Sequence, residues 1–544
     1  MTRRTWLLAV LAAGLQVGCV GDRTLPRADL VEDLERLVWI LEDAHPDPYA
    51  RGGGKGAFDA RLAELIEGLP AGGMTANAFG RYLMPFMAAL GDGHTHLYVD
   101  FDVNWPKPGG IPLFFGVVGQ ELYVLGVLDE REKRLTGARL RAVAGVPFAE
   151  IRRRVFRMHP CENEYEALAY LAWVGDLWTE PQLAMLVPEW EDHSRLAVEL
   201  ALADDTEETV VFELPRALDY RVDVPDSRVT LPPVERAEFA HAFLDSTQQT
   251  AILRVVGMMH YREALEMWDA MGVDQRQSTG REAYEQYHGS DPPEDYQQVI
   301  AGVPSATETF RSLVTEMRAA GTKTLLVDLR RNSGGNSFMS NILVYFLYGK
   351  ETLLGRPPKL EVKKYSQYYF EYFANESIET VNEGRAVPLA VGECDTISNP
   401  RLGVSEDLRA DRIETLRLMR SFAPELDSGA YSGYYRPEHV IVLVSPKTFS
   451  SGFTMMRYLW RAGAKLLGTP SGQAANCYGD ILEFELPHSG VRGCVSHKQF
   501  IEFPEDPERG RVLPVDYPMT YERLRSYGFD PNAEVLYALE IVEP

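Results

Sequence analysis

Three short segments carry side chains able to do chemistry. In SPKTFSSG, residues 445 to 452, the adjacent hydroxyls of Ser450 and Ser451 stand between an apolar run and a segment with helical spacing. A hydroxyl at such a junction can cap the helix by accepting an otherwise orphaned backbone N–H. It can also act as a nucleophile whose neighbouring amide holds an oxyanion. In LLVDLRRNSGGNS, residues 325 to 337, Gly334 and Gly335 follow a strand pattern and precede a helical one. Paired glycines there let backbone N–H groups approach a ligand closely, and they also make a plain tight turn. In LGDGHTHL, residues 90 to 97, His94 and His96 have the spacing of metal ligands. That pattern suits a metal-dependent amidohydrolase, whose H-x-H ends the first barrel strand. Here RYLMPFMAAL ahead of it has helical spacing, the β/α repeats of that barrel are missing, and no H-E-x-x-H occurs. No G-x-S-x-G surrounds any serine, which excludes the α/β-hydrolase elbow.

The elements that must position these segments follow from hydrophobic periodicity. Leu30, Leu34, Leu37, Val38 and Leu41 form one helical stripe, Phe58, Leu62 and Leu65 a second, and Tyr82, Phe86, Met87 and Leu90 a third. Residues 28–106 therefore read as a helical N-terminal part. Residues 107–215 carry short β runs, IPLFFGVV, ELYVLGVL and GARLRAVAGVPFAEI, the last ending in a helix. From 216 to 544 strands alternate with helices: TAILRVVGM, KTLLVDLR, HVIVLVS and AKLLGTP are strand patterns, and helical patterns lie between them. This alternation predicts a multi-domain α/β protein whose core holds a largely parallel sheet. In such sheets, sites gather at the carboxyl ends of strands, where both the glycine pair and Ser450 fall. Residues 261–303 and 356–436 are polar, Tyr-rich and broken by Pro and Gly, and read as irregular insertions.

Composition narrows the partners. The 544 residues exceed one hydrophobic core. A formal charge of -24 argues against nucleic acid or an anionic membrane surface as the main partner. MTRRTWLLAVLAAGLQVGC reads as a signal peptide over residues 1–19, with Arg3 and Arg4 before an apolar stretch too short to span a bilayer. Its end resembles a lipoprotein cleavage site, with Gln16 where an aliphatic residue is preferred, so Cys19 is the expected lipidation point. The expected location is the bacterial cell envelope, periplasmic or lipid-anchored, with membrane contact only through that anchor. Cys161, Cys394, Cys477 and Cys494 remain and permit two disulfides. A hairpin turning at Pro487 to Gly490 would set Cys494 opposite about residue 483, away from Cys477.

DLRRNSGG, TFSSGF and GDGHTHL, on these elements, resemble the C-terminal processing (tail-specific) serine peptidases, in the tricorn-like and retinoid-binding-protein-like branch with a D-G-H-T segment. GARLRAVAGVPFAEI looks like that family's PDZ-like module, and GTPSGQAANCYGDILEFELPHSGV, VSHKQF and LPVDYP extend the likeness over roughly residues 30 to 530. The resemblance implies a helical N-terminal part, a PDZ-like domain over 107–215 and a ClpP/crotonase-like protease core over 216–544. It implies Ser450 as nucleophile and His94 as general base. Gly334 or Gly335 would supply one oxyanion amide and Ser451 the other, Ser451 also retaining the cap role. Asp92 and Thr95 would orient His94. No metal or cofactor is implied, and the partner is a protein or peptide substrate held by strand addition. Departures are clear: no lysine lies in Gly472-Gln473-Ala474-Ala475-Asn476, Phe453 replaces a glutamate, and Leu513 stands where relatives have an acidic residue. Lys498 is the only nearby basic alternative to His94. The rival reading is an inactive peptide- or hydrophobic-ligand-binding protein on the same scaffold.

Overall fold

The computed structural model describes residues 23–99, 111–172, 180–214, 223–234, 238–273, 276–427 and 434–542. The signal segment and Cys19 lie outside them. Among the described residues no helix is long and apolar enough to cross a membrane. The chain forms two compact units. One holds the residues up to Pro225 with Leu360–Ser398 and Ala474–Arg511; the other holds Asp226–Lys359, Asn399–Gln473 and Val512–Pro544.

The first unit has two cores. In helix Arg27–Ala44, Leu30, Leu34, Leu37 and Leu41 fall three or four apart and are wholly buried, each burial being worth about 1.5–3 kcal/mol. Helix Lys55–Gly68 adds the buried Phe58, and helix Ala76–Ala88, capped by the Thr75 side chain on the Ala78 N–H, adds Phe79, Leu83 and Phe86. These residues share one core with Leu482, Phe484 and Val495 of the hairpin Cys477–Glu485 and Arg492–Ile501. That hairpin continues into Leu360–Lys364 and Cys394–Ser398, and the short strand His96–Tyr98 pairs with its Arg492–Cys494 segment. Glu483 pairs with Cys494, as the turn position predicts, and all four described cysteines are free thiols. The second core lies under an antiparallel sheet ordered Leu113–Val118, Glu121–Val127, Arg139–Val143, Arg195–Ala201, Glu207–Glu213. Alternation explains its faces: in Arg195–Ala201, Leu196, Val198 and Leu200 point inward while Arg195 and Glu199 are exposed.

The second unit is built on a sheet ordered Phe239–Phe243, Thr250–Val255, Thr324–Asp328, His439–Val444, Lys465–Gly468, Tyr517–Pro518. Its first pair is antiparallel and every later pair parallel. Thr250–Val255 and Thr324–Asp328 are buried at every position, as strands covered on both faces must be. Helix Ala306–Ala320 begins on Ser305, whose hydroxyl takes the Glu308 N–H, and ends at the left-handed Gly321. Residues 261–303, expected to be irregular, instead form helices Arg262–Met271, Arg276–His288 and Tyr296–Gly302 around Leu265, Ala283, Ile300 and Val303. Each helix gives that small core only one or two side chains, too few to set up a visible period.

Candidate active site

In the second unit the glycine segment and the serine segment are bonded to each other. Phe449 N–H donates to the Asn332 carbonyl (2.9 Å), the Thr448 hydroxyl to the Leu329 carbonyl (2.9 Å), and the Ser445 hydroxyl to the Arg330 carbonyl (2.6 Å). Buried Asn332 also accepts the Gly334 N–H on Oδ1 (3.1 Å) and donates through Nδ2 to the Val255 carbonyl (3.1 Å), so one side chain ties three strand ends together.

Ser450 sits between strand His439–Val444 and helix Ser451–Arg461 with φ 51° and ψ -115°. A non-glycine residue there costs about 1–3 kcal/mol and persists only where its surroundings dictate it. Its hydroxyl makes no capping hydrogen bond to the helix. Its own N–H donates to Gln473 Oε1, so that amide is committed. Gly334, at φ +135°, packs directly on this side chain: a Cβ there would lie 2.8 Å from Ser450 Cβ and 3.3 Å from Oγ. Ser451 is not the cap expected of it. Its hydroxyl, 1% exposed, donates to the Gly335 carbonyl and contacts Ser337 Oγ at 2.9 Å, pinning the glycine segment beside the helix start. Gly334 N–H is taken by Asn332 Oδ1, so of the two glycine amides expected as oxyanion donors that of Gly334 is already committed.

In the first unit Asp92 is wholly buried at the end of the loop after helix Ala76–Ala88. Its carboxylate accepts from the His94 backbone N–H (3.0 Å), His45 Nε2 (3.2 Å), the Thr95 hydroxyl (2.5 Å) and the Ser496 hydroxyl (2.7 Å). His45 Nδ1 accepts the Asp47 N–H, which leaves its proton on Nε2, facing Asp92. Burial would raise the Asp92 carboxyl, but His45, His94 and Thr95 overcome it and hold the group well below the usual carboxylate range. Thr95 in turn accepts the Ser496 N–H (2.9 Å). Asp92 and Thr95 thus fix the backbone on either side of His94 and do not touch its ring through any of these bonds.

The ring has a different partner. His94 Nδ1 lies 3.3 Å from Oε1 of Glu162, whose side chain is fully buried and whose Oε2 accepts the Ala474 N–H (2.7 Å). Burial would lower the His94 imidazole, but Glu162, then Asp92 and Cys494, raise it overall. Sequence reasoning missed Glu162, which lies in no motif and 68 positions from His94. His96 turns elsewhere, to the Gly93 carbonyl (3.2 Å) and Cys494 Sγ. The one described cluster whose donor atoms a cation could bridge is Asp92, His94 and Glu162, all within 4.8 Å. It leaves out half of the H-x-H pair, and the Asp92 carboxylate is already saturated by four donors. Lys498, the alternative base, is paired with Asp480 (2.7 Å) and Glu361 (3.2 Å). Burial would lower its ammonium, yet these carboxylates overcome that and raise it, so it keeps the proton a base must lack.

No family model matches the sequence, and no curated protein does. Solved structures do match. Mature CPAF complexed with lactacystin is 14% identical, with 95% of this chain and 98% of that chain covered at a TM-score of 0.51. A second structure of mature CPAF is 13% identical over 95% and 97%, with a TM-score of 0.50. The photosystem II D1 C-terminal processing protease is 12% identical over 91% and 94%, with a TM-score of 0.37. This chain has the fold of the tail-specific proteases to which CPAF belongs.

Proposed function

We propose that the protein is a serine endopeptidase acting on protein or peptide chains. Ser450 attacks the scissile carbonyl, His94 takes its proton and returns it to the leaving amine, and the amides of Gly335 and Ser451 hold the oxyanion. The observation that carries this reading is Ser450 itself: a left-handed serine whose hydroxyl caps nothing, packed against a glycine that admits no side chain. The antiparallel sheet beginning at Leu113 is read as the PDZ-like module, presenting an edge to an extended peptide. A fluorophosphonate probe should label the wild type and not Ser450→Ala, and casein should be cut by the first alone. Absence of label on both proteins, with casein uncut, would turn the reading to a binding protein on this fold.

A further inference from the structure

We propose that Glu162 is the positioning residue of His94, holding the ring through Nδ1–H so that Nε2 is the atom that takes and returns the proton. This rests on the reading of His94 as the base. Asp92 accepts the His94 backbone N–H, whereas Glu162 meets the ring at Nδ1. Glu162 is held from both sides. Its Oε2 accepts the Ala474 N–H, its own N–H donates to Glu166 Oε2 (2.6 Å), and Asn163 next to it takes the N–H groups of Tyr165 and Glu166. A carboxylate fixed in this way can only accept, so it selects the tautomer with the proton on Nδ1. The charged and titratable groups around the ring include Glu162, Asp92 and Cys494, with His45 on Asp92, and His96 on Cys494. Glu166, behind Glu162, is pushed well above the ordinary carboxyl range by burial and by Glu162, which biases it toward the neutral form.

Glu162→Gln is a discriminating change. The Ala474 N–H still needs an acceptor, so the amide oxygen turns to it and the amide NH2 faces Nδ1. His94 then carries its proton on Nε2, where it cannot accept another from a hydroxyl. Turnover of a fluorogenic peptide should fall about 10²–10⁴-fold with KM little changed, and the His94 titration, followed by ¹⁵N NMR, should move to lower pH. In the wild type, the same spectra should show neutral His94 protonated on Nδ1. An Nε2–H tautomer in the wild type, or an unshifted titration in Glu162→Gln, overturns the assignment whether or not the variant is active. A shifted titration in a protein that no fluorophosphonate labels would uphold Glu162 as the ring's holder while removing the peptidase reading.

Discussion

Ser450 and Gly334 pose the sharpest question at the scale of single residues, because a left-handed serine is explained only by what it faces. Gly334→Ala places a methyl 2.8 Å from Ser450 Cβ and forces a side chain onto φ +135°. The backbone penalty is about 1–3 kcal/mol, but the steric consequence falls on the hydroxyl. Labelling by a fluorophosphonate should drop about 10²-fold, the size expected when a reacting group is displaced by about 1 Å. Gly321→Ala is the matched control, since that glycine is also left-handed, lies in the same unit and has no atom within 4 Å of its missing Cβ. It should lose stability and keep its labelling rate. Equal rates for all three proteins would show that Gly334 does not bear on a reactive Ser450.

Among the elements, the loop from Asp92 to Thr95 shows what periodicity conveys and what it leaves out. The helix before it was legible because Tyr82, Phe86, Met87 and Leu90 repeat at helical spacing, and the strands on either side of Gly334 and Ser450 were legible as buried apolar runs. The partners of Asp92 were not, since His45 and Ser496 reach it from 47 and 404 positions away. Glu162 was hidden for the same reason, and the helices in 261–303 because their few apolar residues are shared among three short segments. A carboxylate that saturated ties a helix, a loop and a strand, and its charge should register in stability. Its folded value lies below the unfolded one of about 4. The stabilisation is therefore complete above about pH 4 and drains away as pH falls toward the folded value. Asp92→Asn should cost about 2–4 kcal/mol at neutral pH, read as a lower urea midpoint, with the gap narrowing in acid. A gap that stays constant from neutral pH to about pH 3 would mean that the charge of Asp92 is not what holds the loop.

For the whole molecule, the proposed nucleophile and the proposed base belong to different compact units, Ser450 to one and His94 to the other. Each half makes chemical sense alone: a strained serine packed against Gly334, and an imidazole facing a buried carboxylate. Neither half is a peptidase, since the serine hydroxyl is a weak nucleophile at its ordinary pKa and needs a base. Whether the units contribute to one reaction can be measured without reference to their arrangement. Residues that act on one transition state lose their effect together, so removing the second costs almost nothing once the first is gone. Ser450→Ala and His94→Ala should each lower kcat on a fluorogenic peptide about 10³–10⁶-fold, and the double variant should be no slower than the slower single one. His94→Ala should also lower the thermal midpoint, because it leaves the buried Glu162 carboxylate without the ring it faces, so kcat is compared well below the midpoint of each variant. Losses that multiply in the double variant would show two independent contributions, and His94 would then leave the mechanism while Ser450 stayed in it.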